Sequence, residues 1–418
     1  MRIRSEKEAY ILTPRCAVQG SKWQIRNGLF NMAVVVTFFR TALRFFREAD
    51  MILLIFTLIS TIYGVILINS ITKNFSTAAG GQTSVQIGAI VIGIIFFILF
   101  SYIDIDIIAD KSRFLFLFSL MMISTLMLWG VGDEDVGRRA WLRFFNIGIQ
   151  PAEITKVPFI IIIARMITSS KELKTFNSFM SILQIFVVFA VMFVFVLIIS
   201  QDMGTALVYF GILVIMLFAG GIKLRWLAIG AVVLVASTPL IWESVLNEKQ
   251  RERILGPFAP DLVDPTRTGV LWQPDQSIEA IATGGFLGQG LGNGRLTQSP
   301  GRIPAQHTDF ILSAAGEELG FVGCIVIIAL LVILISRCVY VGLKSNNPLG
   351  MLVCIGIAGM LITQTVMNLG MALGIMPVIG ITLPFFSYGG SSIVTCFAAM
   401  GIVSGIKMRP KPVRFRTL

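Results

Sequence analysis

Apolar residues fill ten long runs along this chain, and short stretches between the runs carry most of the charge. Each run is about 18 residues or longer and almost free of charged side chains, which is the pattern of a membrane-spanning helix. The runs predicted as spans are 51–72, 84–103, 114–131, 152–168, 180–200, 204–221, 224–242, 310–336, 350–371 and 383–406. The pattern therefore predicts an all-α, polytopic membrane protein with about ten transmembrane helices.

The composition excludes an ordinary soluble enzyme. Hydrophobic residues make up 55% of the 418 residues and charged residues only 14%, whereas a soluble domain carries roughly 25% charged residues. The five cysteines form no CxxC pair and the chain has one histidine. A disulfide framework or a Cys/His metal site is therefore not expected.

The distribution of basic residues predicts the orientation in the membrane. The first 48 residues contain nine Lys or Arg and lack the apolar core and cleavage site of a signal peptide. With this segment in the cytoplasm, 23 of the 34 Lys and Arg fall on the cytoplasmic side, as the positive-inside rule requires. The net charge of +11 is thus assigned to topology and anionic membrane lipids, not to nucleic acid.

These boundaries predict a basic cytoplasmic segment at 1–48, a membrane domain at 49–408 and a cytoplasmic tail at 409–418. Residues 243–309 form a large extracytoplasmic loop between helices 7 and 8, and loops of this length are usually functional or disordered. Within it, 273–283 is predicted to form a short surface helix. The glycine-rich run 288–294 lacks the Gly-Lys-Ser/Thr ending of a phosphate loop, so it favours flexible turns and no nucleotide cofactor.

Ionisable residues beside membrane spans are candidate functional residues because they are costly to place there. His307 and Asp309 end the long loop where water meets the bilayer. The apolar stretch that follows would shield one side of the Asp309 carboxylate and suit a general base. Helix capping by Thr308 or Asp309 is the alternative interpretation. Glu317 and Glu318, two turns further along, require partners or a water-filled cavity.

A second polar cluster lies outside the membrane and enters the fourth span. Arg138 and Arg139 beside Trp141 suit a phosphate group with the indole ring stacked on a sugar. The alternative is an aromatic-belt tryptophan with lipid-facing arginines. Glu153 and Lys156 are spaced i, i+3, which favours a structural ion pair inside the span.

Further basic residues on the outer side exceed what topology requires, and a pyrophosphate ligand would use their charge. They are Arg251, Arg253, Arg295 and Arg302. Near the C-terminus, Ser387 belongs to a stretch rich in small residues, 384–392, at the start of the last span. Close helix packing is the alternative reading of that stretch.

These motifs, in this order and spacing, resemble those of the SEDS family of shape, elongation, division and sporulation proteins, the RodA, FtsW and SpoVE-like polymerases of peptidoglycan. The similarity runs from about residue 51 to 406. It includes the segments 137–142, 150–156, 201–206, 276–277 with the glycine-rich run, 307–320 and 377–392.

The resemblance implies a glycosyltransferase that joins lipid II units on the outer face of the bacterial cytoplasmic membrane, with inversion and with undecaprenyl pyrophosphate as the leaving group. It implies that Asp309 is catalytic, deprotonating or orienting the attacking hydroxyl. It also implies that Trp141 and the Glu153 and Lys156 pair are functional. The remaining candidate substrate-binding residues are Arg138, Arg139, Arg251, Arg253, Arg295, His307 and Ser387. No protein metal site is predicted, although a divalent cation such as Mg²⁺ or Mn²⁺ is a candidate cofactor beside the pyrophosphate.

The implied partners are the undecaprenyl-pyrophosphate-linked glycan, membrane lipids and a class B penicillin-binding protein whose transpeptidase would crosslink the new strand. One rival reading is a lipid II flippase or another transporter of lipid-linked oligosaccharides. A transporter should hold charged groups near the bilayer midplane, whereas most of them gather here at the outer surface. Another rival is a scaffold that only positions other enzymes, for which Asp309 would be dispensable.

Overall fold

The computed structural model describes residues 45–72, 79–132, 139–144, 147–244 and 246–409. The chain divides into two compact units, Met1–Ala49 and Asp50–Leu418, and every element named below belongs to the second. Nearly all of the predicted basic segment 1–48, nearly all of the tail 409–418, and Arg138 lie outside the described residues.

Ten long helices coincide in place with the ten predicted spans, and the all-α prediction is confirmed. In chain order the elements are α1 (Met51–Thr72), α2 (Ala79–Tyr102), α3 (Ile105–Asp110), α4 (Ser112–Trp129), β1 (Leu142–Phe144), β2 (Ile147–Ile149), α5 (Pro151–Glu172), α6 (Phe179–Ile199), α7 (Met203–Ala219), α8 (Leu224–Ser244), α9 (Glu248–Leu255), α10 (Pro260–Val263), α11 (Trp272–Gly284), α12 (Ile311–Lys344), α13 (Pro348–Ala372) and α14 (Gly390–Met408).

Eight of these helices are long and apolar enough to cross a membrane. The two exceptions among the ten predicted spans are α7, which has only 17 residues, and α5, which carries Glu153, Lys156 and Arg165. Apolar side chains such as Ile95 and Phe114 are more than half exposed. Such a surface is stable only against lipid, so this is a multi-pass membrane protein.

The centre of the unit is built on α13 and α14, the most buried of the candidate spans. Helix α14 packs closely against α2 because small residues face it. A Cβ at Gly401 would lie 2.5 Å from the backbone oxygen of Phe97, and one at Gly405 would lie 2.7 Å from that of Ser101. The Ser101 hydroxyl also donates to the Gly401 carbonyl at 3.2 Å. Small residues at a helix interface and hydroxyl bonds across it are the usual means of association in a membrane.

Helix α12 is kinked at Gly320, whose φ is 67°. The kink frees backbone groups, and the long loop 243–309 satisfies them. Phe321 and Val322 donate to the carbonyls of Gly285 and Phe286, at 2.9 and 3.2 Å. In return, Gln289 and Gly290 donate to the carbonyls of Glu317 and Glu318, both at 2.9 Å. A stretch of loop backbone thus takes the place of the missing helical partners.

The glycine-rich run 288–294 forms turns, as predicted, but they are packed against α12. Gly288 has a φ of 80°, which favours glycine. A Cβ there would lie 2.3 Å from the Glu318 carbonyl oxygen. The predicted surface helix at 273–283 is confirmed as α11. Ser277 on that helix is fully buried and shares a short hydrogen bond with Ser313 of α12, so α11 is docked on α12 along one side.

Two span boundaries were wrong. The last span was predicted to begin at 383, but α14 begins at Gly390 and residues 383–389 form an irregular loop. That loop is apolar because it is buried, and hydropathy cannot distinguish a buried loop from a span. Helix α12 ends at Lys344, eight residues later than predicted. After the kink, its 24 residues from 321 to 344 extend about 36 Å, enough to cross a core of about 30 Å.

At the end of the bundle opposite Asp309, a buried carboxylate joins three helices. Asp50, immediately before α1, is fully buried. Its Oδ2 lies 2.9 Å from Arg337 Nε of α12 and 3.6 Å from Lys407 Nζ of α14. Its backbone N–H donates to the Ser404 hydroxyl at 3.0 Å. Arg337, predicted as a topological loop residue, is therefore a helical residue that ties three helices together through Asp50.

Candidate functional site

Two cavities meet around Asp309 at the end of the bundle where α12 begins. Trp141, Asp309 and Gly380 line both. The larger, of about 260 Å³, is also lined by Asp202 and Arg253. The smaller, of about 250 Å³, is also lined by Glu153, His307 and Tyr388. A concave site with a few convergent polar groups is the usual form of a ligand pocket, so these two cavities are the candidate active site.

The backbone around Asp309 is fixed from several sides. Thr308, Asp309 and Phe310 all direct their N–H groups at the Ala305 carbonyl, at 3.0 to 3.3 Å. The Asp309 carbonyl accepts a hydrogen bond of 2.8 Å from Asn368 Nδ2 of α13. The N-cap residue of α12 is Phe310, so neither Thr308 nor Asp309 caps the helix. Asp309 is thus not the N-cap residue of α12, and it lines both cavities.

The loop that precedes α14 holds this segment in place. Ser387 donates its hydroxyl to the Thr308 carbonyl and accepts the Leu383 N–H at 2.8 Å. The Tyr388 N–H donates to the His307 carbonyl at 2.8 Å. Asn368 Nδ2 also donates to the Ile381 carbonyl at 2.7 Å. Ser387 is buried and bonded to these backbone groups, so it positions the segment that carries Asp309, and its contact with substrate stays a prediction.

Trp141 reaches the site from a β-hairpin. Strands β1 and β2 pair antiparallel, with Leu142 opposite Ile149, and Trp141 itself pairs with Val131 through hydrogen bonds of 2.7 and 3.1 Å. The indole ring lies over Gly148, where a Cβ would approach to 3.0 Å. This contact leaves the ring half-buried, beside the cavities. A flat ring at the mouth of such a site can stack on a sugar face.

The predicted ion pair in the fourth span is present and buried. Lys156 Nζ lies 2.7 Å from Glu153 Oε1, with side-chain exposures of 1% and 8%. Only Glu153 lines the smaller cavity. The pair begins α5, where Pro151 occupies the first turn. Its charges are compensated within the helix, so Lys156 is positioned to set the electrostatics of Glu153.

Asp202 is a site residue that charge reasoning missed. It caps α7, accepting the Thr205 N–H at 3.0 Å, and also accepts Gln150 Nε2 at 2.6 Å. The Gln150 backbone N–H in turn donates to the Ser391 hydroxyl of α14, at 3.2 Å. The signal available in the sequence was an aspartate directly before an apolar span in the segment 201–206. The carboxylate ties α5, α7 and α14 together beside the larger cavity.

Of the predicted basic residues, the structure brings Arg253 of α9 to the larger cavity. Arg251, two residues earlier on the same helix, donates instead to the carbonyls of Leu246 and Glu243. Arg295 pairs with Glu279 at 2.9 Å on the surface. These two do not line either cavity, because their side chains are used to hold the loop. Arg139 and Arg302 are exposed to solvent.

His307 lines the smaller cavity with its ring 5.7 Å from that of Tyr388, centroid to centroid. Burial lowers the pKa of the His307 imidazole below its ordinary value. The ring is therefore neutral at pH 7, when it has one donor and one acceptor nitrogen available for hydroxyl groups of a ligand.

Glu317 and Glu318 have the partners that their burial requires. Glu317 accepts the N–H groups of Leu296 and Thr297, each at 2.7 Å. Glu318 accepts the Ser70 hydroxyl at 2.5 Å and Gln298 Nε2 at 2.9 Å. Both carboxylates hold the loop on the segment of α12 before the kink. They are therefore structural clamps beside the site, away from the lipid.

A divalent cation fits the site only with help from a ligand. Among the described residues, no group of three or more His, Cys, Asp or Glu side chains is arranged to hold a metal. Asp202 and Asp309 nevertheless line the same cavity. Mg²⁺ is commonly held by one or two carboxylates together with substrate phosphates, so a phosphate-bearing ligand would complete such a site.

Known proteins match this chain over nearly the whole of the helical unit described above. The family described as "Cell cycle protein", designated FtsW, RodA and SpoVE, matches residues 50–411. The chain is 32% identical over 378 residues to the probable peptidoglycan glycosyltransferase FtsW of Geobacter metallireducens, covering 89% of this chain and 98% of the relative. It is 28% identical over 335 residues to the peptidoglycan glycosyltransferase MrdB of Escherichia coli K12, covering 79% and 87%.

Solved structures give the same fold. One, titled "Structural coordination of polymerization and crosslinking by a peptidoglycan synthase complex", contains a chain that matches with a TM-score of 0.70 and 26% identity, over 86% of this chain and 98% of that chain. The rod shape determining protein RodA of Thermus thermophilus matches with a TM-score of 0.60 and 24% identity, over 86% and 97%.

Proposed function

Since this chain belongs to the FtsW, RodA and SpoVE family and is a peptidoglycan glycosyltransferase of the membrane, we propose that it polymerises lipid II on the outer face of the bacterial cytoplasmic membrane. The observation that carries this proposal is the meeting of two cavities at Asp309 and Trp141. A polymerase must hold a growing strand and an incoming unit at once. Two cavities that share one carboxylate suit that task.

In the proposed reaction, Asp309 accepts the proton of the 4-hydroxyl of the incoming GlcNAc. The hydroxyl oxygen attacks C1 of the sugar at the pyrophosphate end of the growing strand. A new C1–O4 bond forms, the bond from C1 to the pyrophosphate oxygen breaks, and C1 inverts. Undecaprenyl pyrophosphate leaves with the bonding electrons. No nucleotide is needed, because the energy is stored in the lipid-linked pyrophosphate.

The neighbouring side chains supply orientation and charge. Trp141 stacks on a sugar ring, and His307, neutral at pH 7, offers a hydrogen bond to a sugar hydroxyl. Arg253, which lines the larger cavity, offsets the charge that develops on the leaving pyrophosphate. Asp202, which lines the same cavity as Asp309, would hold a Mg²⁺ or Mn²⁺ ion together with the substrate phosphates, and the ion would offset part of that same charge.

The transporter reading receives less support. Charged groups that line a transport path must exchange partners as the substrate passes. Among the described residues, Glu153 is paired with Lys156 inside one helix. Glu317 and Glu318 bind loop backbone and side chains. The inward-reaching charges are thus committed to structure.

A crosslinking partner completes the proposal. A neighbour in the structural comparison comes from a complex that couples polymerization to crosslinking, and we expect this chain to work with a class B penicillin-binding protein. In the proposed orientation both termini lie in the cytoplasm, and the distribution of basic residues supports this by the positive-inside rule.

The test is polymerisation of labelled lipid II by the purified full chain, together with a partner protein that has no glycosyl transfer of its own. Wild type is compared with Asp309→Ala and Asp309→Asn. Asp261→Ala is the matched control, because Asp261 is an exposed aspartate of the same loop that lines neither cavity.

We expect long strands from wild type and the Asp261 variant, and none from either Asp309 variant at unchanged thermal stability. Strands of normal length from folded Asp309→Asn would overturn the general-base role. If wild type makes no strands but moves lipid II across vesicle membranes, polymerisation itself is the wrong assignment.

A further inference from the structure

A third cavity, of about 170 Å³, lies at the end of the bundle opposite Asp309. It is bounded by the ends of α12 and α14 and the starts of α3 and α13. Lys344, Lys407 and Arg409 line it, together with the ring of Tyr340 and the polar side chain of Asn347. This set is called the basic cavity below. It shares no residue with the cavities around Asp309.

The three cations of the basic cavity are unequally compensated. Lys407 Nζ lies 3.6 Å from Asp50 Oδ2, a carboxylate that Arg337 Nε contacts more closely at 2.9 Å. Arg409 Nη1 lies 3.5 Å from Asp104, a half-exposed side chain. Lys344 has no carboxylate oxygen within 4.0 Å in the described part of the chain, and it lies 5.8 Å from the centroid of the Tyr340 ring.

A further acid, Asp106, is engaged by an amide of the cavity wall. Asn347 Nδ2 donates to both carboxylate oxygens of Asp106, at 2.8 and 2.9 Å. The side-chain oxygen of Asn347 accepts the Leu349 N–H and so caps α13, which begins at Pro348. The positive end of that helix adds to the potential of the cavity. The cavity therefore favours an anion.

The apolar part of the wall identifies the kind of anion. Ile105, Val341 and Ile406 line the same cavity. In the last turns of α12, Leu343 is 68% and Tyr340 50% exposed. A free phosphate has no use for apolar walls, whereas the glycerol and first acyl carbons of a lipid do.

We propose that the basic cavity binds the phosphate of an anionic phospholipid in the leaflet opposite the glycosyltransferase site. Lys344 and Arg409 contact the phosphate oxygens, and the apolar wall contacts the glycerol backbone. Basic pockets between spans are a recurrent lipid-binding arrangement. The site would hold α12, α13 and α14 together at their ends, and it is independent of the proposed substrate.

The experiment is native mass spectrometry of the purified full chain titrated with phosphatidylglycerol, with phosphatidylcholine as the neutral lipid. Wild type is compared with Lys344→Gln and Lys171→Gln. Lys171 is the matched control, because it also lies in the last turn of a helix, α5, but does not line the basic cavity. Its Nζ lies 6.0 Å from the Phe176 ring centroid. Glycerol 3-phosphate and inorganic phosphate are titrated separately to distinguish a lipid from a soluble anion.

We expect one phosphatidylglycerol to be retained, with a Kd about fivefold weaker in Lys344→Gln, the factor that corresponds to about 1 kcal/mol per basic residue. The Lys171 variant should match wild type, and all three should unfold at the same temperature without added lipid. Equal phosphatidylglycerol affinity in wild type and Lys344→Gln would overturn the proposal. Binding of inorganic phosphate with the same Lys344 dependence, but no preference for phosphatidylglycerol over phosphatidylcholine, would also overturn it.

Discussion

Asn368 of α13 is expected to set the position of Asp309 without touching substrate. It is fully buried, and its amide nitrogen donates to the carbonyls of Asp309 and Ile381, at 2.8 and 2.7 Å. Asn368→Leu keeps the volume but removes both donors. Each buried carbonyl left without a partner costs about 1–3 kcal/mol, so stability should fall by about 2–6 kcal/mol, less where water replaces the amide.

The larger effect should be on the reaction. The two loops 305–309 and 381–388 stay joined through Ser387 and Tyr388, but both lose their anchor on α13, and a displacement of about 1 Å at the reacting group lowers a rate by about 100-fold. We expect kcat in the lipid II assay to fall by about tenfold to 100-fold, with little change in KM. Thr363→Val on the same helix is the control, because the Thr363 hydroxyl bonds only within the helix, to the Gly359 carbonyl.

Thermal unfolding and steady-state kinetics separate the two roles of Asn368. A variant that unfolds at a lower temperature but keeps the wild-type kcat while folded would show that the amide stabilises the helix pair and does not position Asp309. A variant with wild-type values of both quantities would refute the energetic reasoning itself.

Three further outcomes are expected. Lys156→Met should destabilise the protein by about 3–5 kcal/mol, because it leaves Glu153 buried and unpaired. Adding Glu153→Gln to that variant should restore most of the lost melting temperature. A double variant as unstable as Lys156→Met would contradict the pairing argument. Gly288→Ala should destabilise far more than Gly301→Ala in thermal unfolding, because both have φ near 80° but only the first Cβ meets backbone, at 2.3 Å; equal losses would mean that backbone strain alone matters. Burial lowers the pKa of His307, so between its folded pKa and about 6.5 the unfolded chain binds more protons than the folded chain, and stability falls as pH drops. In His307→Gln, which removes the chain's one histidine, the melting temperature should therefore depend less on pH between pH 7 and 6. An unchanged dependence would contradict this assignment.

The spans could be predicted because lipid requires long apolar runs, and ten such runs became ten helices. The limits of that reasoning appear at 383–389, which is apolar but folds as a loop under the site. An apolar run shows only that a segment avoids water, and a buried loop and a membrane span are both apolar.

The candidate site was found in part. The position of Asp309 beside a span, and the spacing of Glu153 and Lys156, carry a chemical signal in the sequence itself. Asn368 carries none, because the two amides of this apolar helix, Gln364 and Asn368, are uncharged and fit helix packing equally well. The distribution of arginines was also uninformative in detail: Arg253 lines the cavity and Arg251 does not, a difference that depends on which side of α9 each residue occupies.

The break in α12 at Gly320 has a consequence for how the protein is made. A nascent chain that enters the membrane presents residues 321–344 as a self-sufficient span, but residues 311–319 cannot continue its hydrogen bonding across the break. The partners of Phe321, Val322, Glu317 and Glu318 belong to residues 285–290, which leave the ribosome earlier. The ordered form of Asp309, directly before α12, therefore arises only after residues 311–344 have emerged and paired with that segment. We expect the candidate site to form as a late step of biogenesis.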